Sequence, residues 1–558
     1  MEDKKTFKNK LVLAGLYFAI FFTFIYFATR IYLVVAAEHK WYENVLAVFI
    51  LFAEGFILIQ AVGYVIEIIY VVKKHRGLNV DEDIKDFKLE TTPSVAVLIP
   101  SYHESIKILE NTLICTYNLT YQNKSIYLLD DTRYDKYETE EEKQNLLKYK
   151  EDLENLCKTI KVNIFRRSWR GAKAGIVNDF IDLCQNQKKE GFEFLNFSEK
   201  KFEKPKYLVI FDADQNPYYN FAEPLVYQME ENDKLAFIQT PQYYTNFMEN
   251  KVANAASLQQ IVFYEYICTG KSERNAMFCC GTNVIFRIDA LIDIGGFDET
   301  SVTEDFATSF KFHLKGWQTK YYGKVSAFGL GPEDLGGYFK QQYRWSLGTL
   351  GLFKTVFKQF LKNPKQISMS MWWEYFLSGT HYFIGIVYLI IISMPIIFLL
   401  TNTPSYFASP MVYGLIFIPF MFITLITFFS TLKKRNYKAK DLLLGQFLMV
   451  ICFPVYVKAS FDMILNKKST FEVTQKGESK SLPILSFSSQ LLLVSVLIIA
   501  FTWGINRLYF EREIIFTIFI NTFWCLYNIF ILGFIFYFNN PIIKKKEKEK
   551  LDITKENT

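Results

Sequence analysis

The chain has 558 residues, 51% of them hydrophobic and 22% charged, with a formal net charge of +6. That length and balance exclude a single small domain, a disordered polymer and a nucleic-acid-coating protein. A mean hydropathy of +0.09 lies at the border between soluble and membrane proteins, and points to apolar segments around a soluble body.

The first elements read in chain order are two apolar runs, 11–36 and 45–72, each long enough to cross a hydrocarbon layer about 30 Å thick. Neither is a cleavable leader, because the first is too long and lacks a small-residue cleavage pattern. A polar stretch from 73 to about 365 follows, and apolar runs resume at 377–400, 410–431, 441–465, 484–505 and 514–538. Lys and Arg gather before the first run, after the second, after 410–431 and after the last, while the opposite loops are poor in positive charge. By the excess of basic residues on the cytoplasmic side, both termini and the large middle domain face the cytosol only if 441–465 does not cross. Pro454, Lys458 and Asp462 inside that run favour a helix lying at the interface, so six spans are expected. After residue 370 only Glu374 is read as an ionisable group near a span, apart from that interfacial run.

The expected organisation is therefore a two-span membrane region (1–75), a cytosolic domain (90–335), amphipathic interfacial helices (336–370), two further spans with the interfacial helix (371–466), a loop (467–483), two last spans (484–540) and a basic cytosolic tail (541–558). In the cytosolic domain short β-rich runs alternate with longer helical ones, the pattern of a mostly parallel α/β sheet. Residues 94–100, 125–130, 161–166, 206–211 and 235–240 read as strands, and 103–119, 138–158 and 171–185 as helices. The charged stretches 134–160 and 186–205 read as peripheral helices or insertions.

In such sheets ligands bind beyond the carboxyl ends of the strands. Those ends carry Ser101-Tyr102-His103-Glu104, Asp130-Asp131 and Asp212-Ala213-Asp214. Asp212 and Asp214 follow an apolar strand that aims both carboxylates at the ligand edge, which suits Mg²⁺ or Mn²⁺ with phosphate and water completing the shell. Taken alone, a D-x-D is weak, and Asp81-Glu82-Asp83, with no strand before it, reads as solvated surface. Thr303-Glu304-Asp305 opens a helix, where acidic residues also serve as ordinary first-turn partners of the dipole. Gln341-Gln342-Tyr343-Arg344-Trp345 lies on an amphipathic segment before the membrane, and Phe471–Lys476 in a loop between the interfacial helix and the fifth span. Eight cysteines without a C-x-x-C pair and five scattered histidines give neither a zinc cluster nor a disulfide framework.

In order, these residues resemble the D, D-x-D, T-E-D and Q-x-x-R-W set of processive, membrane-integrated family 2 glycosyltransferases, and the match F-x-V-T-x-K over Phe471, Val473, Thr474 and Lys476 is similar to the gating loop of cellulose synthases. Ala172–Gly175, Gln239–Pro241 and Phe278–Gly281 are supporting matches. The resemblance implies a GT-A-like cytosolic domain inserted among transmembrane helices. It implies a UDP-sugar held by Tyr102, Glu104, Asp130, Asp131, Lys173, Asp212, Gln341, Arg344 and Trp345. A divalent ion, Mg²⁺ or Mn²⁺, would sit on Asp212 and Asp214, and Asp305, with Thr303 and Glu304, would form the catalytic motif. Phe278, Cys280 and Trp345 would meet the growing polysaccharide acceptor, and the Phe471–Lys476 loop would close over the nucleotide. The implied activity is inverting, processive synthesis of a β-linked glucan such as cellulose from UDP-glucose at the cell membrane, with membrane lipid around the spans, accessory subunits or self-association as family options, and no nucleic-acid partner.

Ser101, His103, Ile176, Cys279 and the Gln342-Tyr343 filling depart from the family pattern near the donor and acceptor pockets, and leave the sugar open. A chitin- or hyaluronan-like polymer from UDP-N-acetylglucosamine, a mannan from GDP-mannose and single-sugar transfer to a lipid carrier are the alternatives. A transporter with a nucleotide-sensing domain would leave Asp305 unused. The short tail after the last span has no room for the cyclic-di-GMP-binding PilZ barrel of many bacterial members, so control through such a domain is not expected within this chain.

Overall fold

A computed structural model describes residues 2–37, 40–74, 89, 91–404, 410–433, 439–467 and 480–542. The gating-loop match at Phe471, Val473, Thr474 and Lys476 and nearly all of the basic tail lie outside the described residues.

The central domain is built on an eight-stranded sheet. Its strands are β1 (Val95–Ser101), β2 (Lys124–Asp130), β3 (Asn163–Arg166), β4 (Glu193–Leu195), β5 (Tyr207–Ile210), β7 (Leu235–Gln239), β9 (Val284–Arg287) and β10 (Gln318–Tyr321), in the order β10-β7-β9-β5-β1-β2-β3-β4. A smaller sheet orders β6 (Asn216–Pro217), β11 (Ala327–Gly329) and β8 (Tyr243–Tyr244) as β6-β11-β8. The pairs of β1 with β2 and β5, of β2 with β3 and of β10 with β7 are parallel. β4 and β9 run antiparallel to their neighbours.

Both faces of the large sheet are covered, which is why its central strands are nearly continuous apolar runs. Alternation along β1 sends Ala96 and Leu98 into one core with Leu208, Ile210 and the Ala172–Cys184 helix. Val95, Val97 and Ile99 enter a second core with Val209 and the helices Ile106–Tyr117 and Ala222–Glu231. All five strands read from sequence are present. The charged stretch 134–160 supplies the Glu140–Ile160 helix, whereas 186–205, read as a peripheral helix or insertion, contains the edge strand β4. Phe192 and Phe194 pack on the first core and anchor that edge.

Among the described residues five helices are long and apolar enough to cross a membrane: Asn9–Ala36, Trp41–Lys74, Met369–Thr401, Ile484–Phe510 and Ile515–Phe538. The expected fourth span coincides with the 24-residue helix Pro410–Lys433. Residues 441–465 form two helices bent by 46° between Ile451 and Phe453, with Pro454 in the first turn of the second, where a missing N–H is harmless. The pair would add a sixth candidate if it counted as one span.

Glu374 is not the only ionisable group at the later spans. The Ser488–Phe510 helix continues past its apolar run, so Arg507 falls inside it. There it donates to the carbonyls of Phe398 and Leu399 and to the Asn402 side chain, and pairs with Glu511. The guanidinium thereby caps carbonyls that the end of the Ile384–Thr401 helix leaves without intrahelical partners.

Candidate active site at the strand ends

The first group of candidate residues gathers where β1, β2 and β3 end. The N–H of Asp131 donates to the Ser101 carbonyl at 2.8 Å, which ties the two strand ends together. Tyr102 is exposed there, and His103 takes a positive φ of 52° as the chain turns. The Glu104 carbonyl accepts from Tyr149 Oη at 2.8 Å. Asp130 is buried and committed: its Oδ2 accepts from Arg166 Nε and from Tyr134 Oη, each at 2.7 Å. Asp131 faces Arg167, 3.1 Å away. Withdrawal from water, reinforced by the neighbouring Asp130 charge, outweighs Arg167 and pushes Asp131 up to about 7. Arg166 and Arg167 were not among the residues singled out from sequence, although a basic run at the end of a strand on the ligand edge was there to be read.

The second group surrounds one small cavity lined by Lys173, Gly281, Glu304 and Asp305, with apolar side chains behind them. Lys173 enters on the first turn of Ala172–Cys184. Its ammonium pairs with Asp212 and donates to the Gly281 carbonyl at 2.8 Å. Burial alone would lower this lysine, but the charges of Asp212, Glu304 and Asp305 win and hold it above its ordinary value. Asp212 follows β5, and its backbone N–H donates to Thr282 Oγ1 at 2.8 Å. Asp214 is buried, with Oδ2 accepting from the Leu330 N–H at 3.0 Å.

Asp305 stands in the first turn of Glu304–Leu314, Oδ1 accepting from the Phe306 N–H at 2.8 Å. Gly281 has a φ of +86°, and a Cβ there would lie 3.1 Å from Asp305 Oδ2, so glycine serves both the turn and the close approach. Loss of water, then the adjacent Glu304 charge, pushes Asp305 up to about 7 against Lys173 and Arg344.

The third group is carried by the Leu335–Lys362 helix, which presents Gln341, Arg344 and Trp345, all half-buried. This helix docks on Thr303 through Gly348, where a Cβ would meet Thr303 Cγ2 at 2.5 Å. Its other attachments use the two residues that depart from the family pattern. Gln342 Oε1 accepts from Tyr456 Oη at 2.9 Å, and Tyr343 Oη donates to Asp462 Oδ2 at 2.7 Å. Phe278 packs between Phe263 and Phe306 at ring distances of 5.8 and 4.7 Å. The Cys280 N–H donates to Gln239 Oε1 and the Cys279 N–H to Ser309 Oγ, each at 2.8 Å, so the Phe278–Gly281 loop is laced to β7 and to the Asp305 helix.

The donor set suits a hard divalent cation. Mg²⁺ takes one or two carboxylates from protein and the rest from phosphate and water, and the ammonium on Asp212 already marks a cation position at that carboxylate.

Residues 96–295 match the family described as Glycosyl transferase family 2, and residues 207–430 match Glycosyl transferase family group 2. The matched stretches contain the strand ends, Asp212, Asp214, Asp305 and the Gln341–Trp345 helix. The chain belongs to the family 2 glycosyltransferases. It is 25% identical over 456 residues to a protein of Pseudomonas fluorescens named cellulose synthase catalytic subunit [UDP-forming], covering 79% of this chain and 56% of that one. It is 24% identical to cellulose synthase 2 of Novacetimonas hansenii, covering 79% of this chain and 26% of that one. A catalytic subunit of the same description from Dictyostelium discoideum is 30% identical over 48% of this chain and 24% of its own length. The chain thus spans from about a quarter to about half the length of these relatives. A solved mannosyltransferase of Pyrobaculum calidifontis, in complex with GDP-mannose and Mn²⁺, superposes with a TM-score of 0.48 at 12% identity, covering 76% of this chain and all of that one. The glycosyltransferase domain and its apolar helices therefore sit in one chain, as in the cellulose-synthase-like members.

Proposed function

We propose that this glycosyltransferase polymerises a UDP-sugar, UDP-glucose first among them, into a β-linked glucan such as cellulose, processively and with inversion, and passes the product across the membrane. The observation that carries the reading is Asp305: one carboxylate with its ordinary value raised, in a cavity shared with Lys173 and Asp212. A base at about 7 is matched to proton transfer near neutral pH.

In this reading Tyr102, Glu104, Asp130 and Asp131 hold the uridine half, with Asp130 acting through its fixed place against Arg166. Lys173 leaves Asp212 for the diphosphate, and Gln341 and Arg344 pair with that diphosphate from the other side. Asp212 and Asp214 would hold Mg²⁺ or Mn²⁺, which when bound neutralises the charge that develops on the leaving UDP. Asp305 accepts the proton of the acceptor hydroxyl as its oxygen bonds the anomeric carbon and the carbon–phosphate-oxygen bond breaks. A single displacement inverts that carbon and needs no covalent nucleophile. Phe278, Cys280 and Trp345 support the chain end, because a flat sugar face stacks on an aromatic ring while remaining able to slide.

The names of the relatives support UDP as the product, and the basic flanks support a plasma-membrane protein with the catalytic domain and both termini in the cytosol. The test is synthesis by purified protein in vesicles with Mg²⁺ or Mn²⁺ and labelled UDP-glucose beside UDP-N-acetylglucosamine, the product then treated with a β-1,4-glucanase. Digestible glucan is expected. Incorporation from the aminosugar alone would overturn the sugar, and single-residue transfer would overturn processivity.

A further inference from the structure

Four charged side chains are buried together where the glycosyltransferase domain meets the apolar helices, and none has a part in the reading above. Glu67 lies on the Trp41–Lys74 helix, Lys271 on Cys268–Glu273, Arg274 just after it, and Glu374 on Met369–Thr380. No side chain of the four is more than 7% exposed. Lys271 Nζ donates to Glu374 Oε2 at 2.5 Å. Arg274 donates to Glu67 at 3.0 Å, to Ser370 Oγ at 2.7 Å and to Glu374 as well. Glycine at 270 lets the helices meet, since a Cβ there would lie 2.7 Å from Glu67 Cβ. Two acids and two bases leave the cluster neutral. Burying it costs desolvation that apolar side chains would not incur, so what it supplies is direction: hydrogen bonds that fix three elements against one another.

Those elements converge on the Phe278–Gly281 loop and on Asp305. Lys271 Nζ lies 5.8 Å from the Phe278 ring, and Phe278 packs on Phe306, the residue after Asp305. Tyr375, next to Glu374, stacks on Phe306 at 5.6 Å and bonds His313, on the Asp305 helix, through Nδ1 at 2.6 Å. Burial pushes His313 down to about 3, so the ring is neutral. The Thr319 hydroxyl gives its proton to the Met277 carbonyl at 2.7 Å, so the Nε2 facing Thr319 at 2.9 Å carries the ring proton and Nδ1 accepts from Tyr375. One hydrogen-bonded chain thus runs from Tyr375 through His313 and Thr319 to Met277, one residue before Phe278.

We propose that Glu374 and Tyr375 are positioning residues that hold the Phe278–Gly281 loop and the Asp305 helix in register at the membrane entrance, so that the polymer end stays at the base between additions. This rests on the reading of Asp305 as base and of 278–281 as acceptor loop.

The test uses the full chain in lipid nanodiscs and measures UDP affinity, turnover of UDP-glucose, its KM and product length. The double variant Lys271→Met/Glu374→Met replaces a buried pair by apolar chains and leaves Arg274 with Glu67. Tyr375→Phe removes one hydroxyl and carries the test alone if the double variant fails to fold. UDP affinity and KM are expected to stay at wild type, while turnover falls about tenfold and the polymer shortens. Wild-type turnover and length in folded variants would overturn this proposal alone. A wild-type chain that binds UDP but makes no polymer would overturn the functional reading and the proposal with it.

Discussion

The protein handles charge in two opposite ways. Among the apolar helices each buried charge sits against a counter-charge: Arg30 on Glu54 at 2.7 Å, Arg274 on Glu67 and Glu374, Arg507 on Glu511. Around the strand-end cavity the balance is uneven, with Asp212, Asp214, Glu304 and Asp305 facing Lys173 and Arg344. The comparison separates architecture from chemistry. Where no ligand is to come, a low-dielectric setting makes an unpaired charge too costly to keep. Where a cation and a diphosphate are to come, carboxylates in excess raise one another's pKa and wait for compensation.

The largest test of that contrast is Asp212→Asn. It removes the partner of Lys173 and half of the expected metal set, and should lower turnover about a thousandfold, read as UDP release in Mg²⁺ or Mn²⁺. The architectural counterpart is Arg30→Met, which strands Glu54 and should cost about 3–5 kcal/mol of stability by thermal unfolding in detergent. Arg30→Met/Glu54→Leu should recover most of it. Recovery would separate this pair from the cavity, where removing both members of the Lys173–Asp212 pair should restore no activity.

A smaller effect is the pH profile. Asp305 must be ionised to accept a proton, and its pKa is raised to about 7, so the rate should rise with pH through about 7 and level off above it. A flat profile between pH 6 and 8 would remove Asp305 from the proton step. The smallest is Tyr343→Phe, which takes one hydroxyl from Asp462 and should cost about 1 kcal/mol, with UDP affinity intact.

The cavity was legible in sequence because each motif follows an apolar run that becomes a strand or opens a helix, which is how Asp130, Asp212 and Asp305 were found. The division of labour within Asp130-Asp131 was not, since only packing reveals that Arg166 and Tyr134 claim the first. The antiparallel strand β9 and the two- and three-residue strands of the small sheet were too short, or too like a buried run of either kind, for periodicity to assign. Single charges inside long apolar runs, Arg30, Glu54 and Glu67, are diluted in any hydropathy window, and their meaning lies in partners 24 or 207 residues away. The odd residues Gln342 and Tyr343 looked like a departure near the donor pocket. They dock their helix on Tyr456 and Asp462 instead.

The central claim, that Asp305 is the base of a sugar transfer, is tested most directly by Asp305→Asn in vesicles, with UDP binding and polymer synthesis measured on the same preparation. The account predicts no polymer while UDP binds with wild-type affinity, because the uridine-holding residues lie at the ends of β1 and β2. Polymer synthesis at an undiminished rate by that variant would contradict it.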